Sequence, residues 1–348
     1  MAENYNLTIE RQVTESMTLS LAYVGSVGHH LEGNYELNPA GNASGNAAAA
    51  AAGCTPASLG VSCGLNTFQY DPTIYAALDY QDTSFNSNYN SFQLGVTQRF
   101  KAGLMFQASY TWSRSFDENS AADNQNGIVP PGINPFNFRS MYAPSNNDAP
   151  QRFVFSYDYT LPFYHFAQKL RPLTDGWKLV GIVTFQEGNP VAIADSYSPS
   201  LTCSPGDLGG VVDVPCWDRP NRTGNPIAIG NPRTYTLNGV GDYWFNPLAF
   251  ARAPLGTFGN SGRNPLYGPG INNFDTSLIK DIHITESKYI ELRGETFNTF
   301  NHQQWGPPVN TSGVDIAPIA DFNNTSNFGR ITSVRGNFVA QLGAKIYF

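Results

Sequence analysis

Apolar and polar side chains alternate along most of this 348-residue chain. The plainest stretch runs from Gly336 to Phe348. There Phe338, Ala340, Leu342, Ala344, Ile346 and Phe348 form one apolar row, and Asn337, Val339, Gln341, Gly343, Lys345 and Tyr347 form a mixed, mostly polar one. A period of two marks a strand with two unlike faces. Terminal residues are ordinarily frayed and solvated, so an apolar row running to Phe348 calls for a partner strand and apolar surroundings.

The same period recurs upstream. Tyr5, Leu7, Ile9 and Val13 alternate with Asn6, Thr8, Glu10 and Gln12, and after Thr14-Glu15-Ser16 the row Met17, Leu19, Leu21, Tyr23 alternates with Thr18, Ser20 and Ala22. A second hairpin is expected from Tyr89 to Ser113. Phe92, Leu94, Val96 and Phe100 lie opposite Gln93, Thr97 and Arg99, and past Lys101-Ala102-Gly103 the row Leu104, Phe106, Ala108, Tyr110, Trp112 lies opposite Gln107, Ser109, Thr111 and Ser113. Further strands are expected at Arg152 to Leu161, from Trp177 to Phe185, at Asn273 to Ile282 and at Lys288 to Thr299. Between them fall long stretches rich in Gly, Pro, Asn and Asp, at about 31–70, 115–150, 188–270 and 301–332; the alanine run 47–52 is read as loop because Gly and Asn flank it.

Short and long connections therefore take turns along about nine strands, several of them 10–12 residues long. Such strands span an outer membrane, where short turns lie on the periplasmic side and long loops lie outside. A soluble sandwich also alternates, but it has no reason to keep its long loops on one side. The expected fold is all-β: an antiparallel meander of about nine long transmembrane strands, a partial, C-terminal segment of a large outer-membrane β-barrel with long external loops. Complete single-chain bacterial barrels have an even strand number. The odd set suggests the back part of a bigger barrel, with two free sheet edges, and residues 1–348 as one partial barrel domain.

Composition sharpens this picture. Only 14% of residues are charged, against about 25% in soluble domains. No window approaches the roughly 20 apolar residues of a membrane helix, and mean hydropathy is negative. Polarity is carried by Asn, Ser, Thr, Gln, Tyr and Gly, which suits strands with one lipid face and one wet face. A net charge of −7 with no basic stripe excludes nucleic-acid binding. Cys54/Cys63 and Cys203/Cys216 form two local pairs in Gly/Pro/Ser-rich stretches and read as disulfides of an oxidising compartment. Zinc, the rival, lacks a C-x-x-C and a histidine at ligand spacing. Met1 leads straight into a strand pattern with no basic start or apolar signal core, so an exported protein is expected to have more chain upstream.

Candidate chemistry is sparse. Glu291, Arg293 and Glu295 share one strand face near Asp275, Asp281 and Lys288. They suit lumen-facing charges partnered across strands better than a general acid–base pair, because no nucleophile accompanies them. His29-His30 could meet a metal, but neighbours on an extended chain point opposite ways; His165, His283 and His302 are scattered. Asn-x-Ser/Thr matches at Asn42 and Asn310 carry little. No phosphate loop, zinc motif or hydrolase elbow occurs, so no catalytic residue, metal or cofactor is expected. Trp112, Tyr159, Phe163, Tyr164, Trp177, Tyr289, Trp305 and Tyr347 gather at expected strand ends, as interfacial aromatic girdles do; plain core packing is the other reading.

Several stretches together resemble a known family. They are Asn88-Tyr89-Asn90-Ser91-Phe92-Gln93, Ala108-Ser109-Tyr110-Thr111-Trp112-Ser113-Arg114-Ser115, Asp148-Ala149-Pro150-Gln151-Arg152-Phe153 and Phe258-Gly259-Asn260-Ser261-Gly262-Arg263-Asn264, then Leu292-Arg293-Gly294-Glu295-Thr296-Phe297-Asn298-Thr299-Phe300-Asn301-His302 and the final strand. In order and spacing they are similar to the C-terminal barrel of Oar-like TonB-dependent outer-membrane receptors of acidobacterial type. That resemblance implies an N-terminal carboxypeptidase-regulatory-like domain, a plug and a barrel of about 22 strands, with energised passage of a large solute. The regulatory-like domain, the plug, the TonB-contacting segment and the first barrel strands have no counterpart here. Implied partners are outer-membrane lipid, the barrel-assembly machinery through the C-terminal strand, the TonB complex through the missing N-terminal part, and an unknown large solute bound by the loops. A structural or adhesin-like barrel without transport is the alternative, and a soluble carbohydrate-active enzyme would need paired carboxylates that are not seen.

Overall fold

The computed structural model describes residues 1–36, 79–120, 137–163, 171–194, 219–229, 231–253, 259–285, 287–308, 319–321 and 326–348. Nine long strands carry the fold: β1 (Ala2–Thr14), β2 (Met17–Glu36), β3 (Asp79–Lys101), β4 (Leu104–Asp117), β5 (Gln151–Thr160), β6 (Trp177–Gln186), β7 (Ile271–His283), β8 (Tyr289–Phe297) and β9 (Val339–Tyr347). Each pairs antiparallel with the next in chain order. The expected meander is thus the observed one. Among the described residues, β1 and β9 each lack a second neighbour, and the sheet stays open.

Register decides which rows share a face, because directly paired residues project to the same side. Leu7 faces Tyr23, Tyr23 faces Phe92 and Phe92 faces Trp112. Further along, Tyr110 faces Phe153, Phe153 faces Phe185, and Val183 faces Phe274. Leu278 faces Leu179, Ile282 faces Ile290, and Ile290 faces Ile346. Every apolar row read from the sequence therefore falls on one side of a single nine-stranded surface. Leu342 on that side is 91% exposed and Trp112 56%. Water would disfavour so large a contiguous apolar patch, whereas hydrocarbon favours it. The ten-residue strands β5 and β6 span about 33 Å at roughly 3.3 Å per residue, which a tilt of about 40° reduces to the height of the apolar band in outer-membrane barrels, about 25 Å.

Two local devices set the hairpins. Ala102 and Gly103 both take positive φ (51° and 81°), the conformation a two-residue type I′ turn demands. Glycine meets that demand freely, while Ala102 adopts it at a steric cost. On the apolar face, Gly25 leaves room for the Tyr5 ring, and Tyr5 and Tyr23 both donate a hydroxyl hydrogen bond to Asn90 Oδ1, at 3.1 and 2.6 Å.

The long connections differ from the sequence reading in two ways. First, β2 runs on to Glu36 and β3 starts at Asp79, so the 20- and 23-residue strands outreach a membrane. Second, the described parts of 188–270 and 301–332 are not irregular loop. Pro190–Ala194 pairs with Leu266–Tyr267 on one side and Ile319–Asp321 on the other. Val191, Ile193, Phe245, Ala249, Phe250, Ala320 and Phe328 form a buried core, with the rings of Phe245, Phe250 and Phe328 packed edge to face. These strands of two to five residues are too short for alternation to show. The alanine run 47–52 lies outside the described residues.

Candidate functional site

The long connections leave the same end of the sheet, and buried polar residues hold the described parts of those after β4, β6 and β8 to one another and to the strand ends there. Arg263 is 4% exposed. Its guanidinium forms an ion pair with Asp117 at the end of β4 and donates to the carbonyls of Met141 at 3.0 Å, Asp117 at 2.6 Å and Ala143 at 3.3 Å, and to Ser120 Oγ at 3.0 Å. Burial lowers its pKa, and the Asp117 carboxylate opposes that shift. The neighbouring Asn264, at φ 53°, donates to the Pro144 carbonyl at 2.7 Å and Asn146 Oδ1 at 2.8 Å.

Asp148 is a second rivet, 1% exposed. It accepts from the Ser115 backbone N–H at 2.8 Å and the Tyr267 hydroxyl at 2.6 Å, and Arg114 stands 3.5 Å away. Burial, then the bond to Asp148, pushes the Tyr267 pKa well above the ordinary tyrosine range. Asn298, at φ 50°, is the third. Its backbone N–H donates to Asp275 Oδ1, its Oδ1 accepts from the His302 N–H (both 2.9 Å), and its side-chain amide donates to the carbonyls of His302 (2.9 Å) and Gly336 (2.5 Å), tying β8 to the approach of β9. Buried polar groups are mostly satisfied; here Arg263 and Asp148 are satisfied across two connections, and Asn298 by Asp275 of β7 and by residues of its own connection.

Asp148, Arg263, Asn264 and Asn298 all lie in the stretches that carry the family resemblance. Sequence reasoning quoted them as motifs and gave them no role. Their signal was isolated charged or amide residues inside Gly/Pro-rich segments.

Beside the assembly lies a cleft of about 390 Å³, lined among others by Arg233, Asp242, Gln303, Trp305, Thr332 and Ser333. The Arg233 guanidinium sits 5.1 Å from the centre of the Trp305 ring, which meets Trp244 edge to face. Asp242 holds φ 67° and stands 3.8 Å from Arg330. Trp305 thus belongs to the loop assembly and not to a girdle at a strand end.

The charged triplet sits on the sheet face opposite the apolar one. Arg293 pairs with Glu291 at 2.7 Å and Glu295 at 3.4 Å, and Lys178 holds Asp281 at 2.8 Å. Glu291 lies opposite Lys345, and Glu295 opposite Gln341, whose amide it accepts. Tyr289 and Tyr347 stack on this same face, 4.3 Å apart, so they too are not lipid-facing girdle rings. Of the C-terminal row, Ala340, Leu342, Ala344 and Ile346 lie within β9 on the apolar face, while Phe338 and Phe348 stand just beyond its bounds. Cys54, Cys63, Cys203 and Cys216, like Tyr164 and His165, lie outside the described residues. His29 Nδ1 is 3.1 Å from Asn86 Oδ1, and among the described residues no three His, Cys, Asp or Glu side chains gather as a metal site would need.

No curated protein matches the chain. Among solved structures it is similar to the outer membrane transporter YddB from Escherichia coli, with 9% identity and TM-score 0.46 over 100% of this chain and 32% of that one. It is also similar to P. aeruginosa FpvA bound to heterologous pyoverdines (9% identity, TM-score 0.37, 99% of this chain and 27% of that one). A third is the ferric-catecholate import receptor Fiu from E. coli K12 (12% identity, TM-score 0.31, 99% and 38%). The chain thus spans about a third of the length of these structures. The family model described as outer membrane beta barrel domain matches residues 1–341. With its apolar face continuous over nine antiparallel strands, the chain belongs to the outer-membrane β-barrel domain family.

Proposed function

We propose that the chain is the C-terminal strand-forming part of a TonB-dependent receptor of Oar-like type, and that it passes a large solute through the outer membrane. The riveted loop assembly would be its outward, ligand-meeting face. The observation that carries this reading is the open sheet. In hydrocarbon each unsatisfied backbone group costs several kcal/mol, so the free edges at Ala2–Thr14 and Val339–Tyr347 call for further strands of a larger barrel. The quoted motifs, in their order along the chain, support the receptor kinship. The charged face of β6 to β9 would line the lumen, and β9 would be the strand met by the barrel-assembly machinery.

The test is binding of the purified periplasmic domain of TonB to the protein extracted whole from outer membranes. Saturable binding supports the receptor reading. A protein that sits in the outer membrane, ignores TonB and still attaches cells to surfaces would overturn it in favour of an adhesin-like barrel.

A further inference from the structure

We propose that the cleft around Trp305 is a sugar-binding subsite, taking one ring of a neutral oligosaccharide. The proposal rests on the reading that this end of the sheet meets external solutes, and it names the class of solute.

The argument starts from what the lining leaves unspent. Among the described residues, no ion pair or side-chain hydrogen bond is seen for Arg233, Gln303, Thr332 or Ser333, and Asp242 has only Arg330 at 3.8 Å. Arg233 supplies donors only, Asp242 acceptors only, and the amide and two hydroxyls supply both. A carboxylate or phosphate ligand would be repelled by Asp242, and a cation by Arg233. A neutral ring with hydroxyls around its rim can give to Asp242 and take from Arg233 at once. Its C–H face has a matching apolar wall in Trp305, Ile331 and Val334, of which Val334 is 52% exposed.

The cleft volume of about 390 Å³ lies near the lower end of the roughly 300–1,000 Å³ range of small-molecule sites. The Arg233 guanidinium lies over the indole, and a cation–π contact at an exposed site is weak. A sugar ring can therefore replace it there and draw the released donors to its hydroxyls. The wall is firm because Trp305 is backed edge-on by Trp244, whose indole N–H donates to the Tyr267 carbonyl at 2.7 Å.

The experiment uses the whole protein in detergent and saturation-transfer NMR with maltotriose, cellotriose, xylotriose and N-acetylchitotriose, with citrate, phosphate and spermidine as charged controls. We expect saturable binding of at least one trisaccharide, weakened tenfold or more in Trp305→Ala and in Asp242→Asn. Trp305→Phe, which keeps an aromatic wall against Trp244, should retain part of the affinity and controls for misfolding. No trisaccharide binding at 20 mM, binding of citrate or phosphate alone, or sugar binding indifferent to Trp305 and Asp242 would each overturn the proposal. Failure of the receptor reading shows separately: sugar binding dependent on Trp305 in a protein that does not bind TonB refutes transport and keeps the subsite.

Discussion

Leu278→Arg and Ile182→Arg form a matched pair that asks which face of the sheet meets hydrocarbon. Leu278 is the eighth of thirteen residues in β7 and Ile182 the sixth of ten in β6, so both sit mid-strand. Leu278 is 42% exposed and Ile182 50%. By exposure and chemistry the two substitutions are alike. They differ in face, Leu278 standing between Leu179 and Gly294 and Ile182 between Ser156 and Asp275, and by three residues in level, since Leu179 is the third residue of β6. An arginine on the lipid face at mid-membrane costs about 2–4 kcal/mol, or roughly 30- to 700-fold in the folding equilibrium at about 1.4 kcal/mol per factor of ten. An arginine at position 182 would stay in water beside the Asp275 carboxylate, and its cost should stay within about 1 kcal/mol. The assay is urea titration of the protein refolded into phosphatidylcholine vesicles, followed by tryptophan fluorescence, with outer-membrane yield in cells as a second readout. Equal costs, or a larger cost for Ile182→Arg, would refute the assignment of the apolar face to lipid.

Other consequences concern the loop end. Arg263→Ala takes the buried cation from the Asp117 carboxylate, which keeps only the Ser120 hydroxyl, and one donor from each of three carbonyls, and breaking a buried pair from one side costs about 3–5 kcal/mol; trypsin should then cut the connections at least a hundredfold faster while the strands stay protected, and unchanged cutting would show that Arg263 does not hold them. Phe245→Ala empties the centre of the loop-end core, at about 3–5 kcal/mol, and should raise hydrogen exchange at Pro190–Ala194 and Leu266–Tyr267 without altering β1 to β4. Tyr267 has a folded-state pKa above the ordinary value of 10.0, so its stabilising share is whole below about pH 10 and is lost as pH rises from there toward the raised value; Tyr267→Phe should flatten this alkaline loss in a melting-temperature series. If Cys54/Cys63 and Cys203/Cys216 are bridged as their spacing suggests, the denatured, unreduced protein should show no free thiol, and each bridge, closing a loop of about 10–15 residues, should contribute about 3 kcal/mol; four titratable thiols would reject both pairs.

How much of this could be read from the residues follows from length scale. Alternation over ten residues gives five votes for a face, so the rows of β4, β5 and β9 were legible, and register then had to bring them to one side. Pro190–Ala194 is buried on both faces and offers no alternation at all. Leu266–Tyr267 has two residues and acquires meaning only from Val191 and Pro190 opposite it. The rivets escaped for a different reason. Arg263 and its partner Asp117 are 146 residues apart, and nothing local tells a buried arginine in a Gly/Pro-rich segment from a solvated one. Trp305 was misread by the same logic: it follows a strand, as girdle aromatics do, but Trp244 and Arg233 claim it.

The loop assembly and the open sheet bear on one another. A membrane strand tolerates lipid on one face because its backbone bonds are made sideways, to the next strand; the connections have only short ladders, such as Pro190–Ala194 with Leu266–Tyr267 and Ile319–Asp321, and their other buried polar groups need other partners. Here single residues supply some of those partners, Arg263 reaching β4 and the 141–143 segment, Asp148 reaching Ser115 and Tyr267, and Asn298 reaching Asp275 of β7 and, within its own connection, His302 and Gly336. Each rivet joins the ends of strands that are already adjacent or nearly so in the meander. The spacing of the strands therefore constrains the spacing of the rivets, whereas the cleft of Arg233 and Trp305 is walled by contacts between two connections, Ile331 N–H to the Asp242 carbonyl and Trp305 against Trp244. A change that shifts β7 against β8 by one residue pair would separate Asp275 from the Asn298 N–H and loosen the hold of Asn298 on the approach to β9 at Gly336.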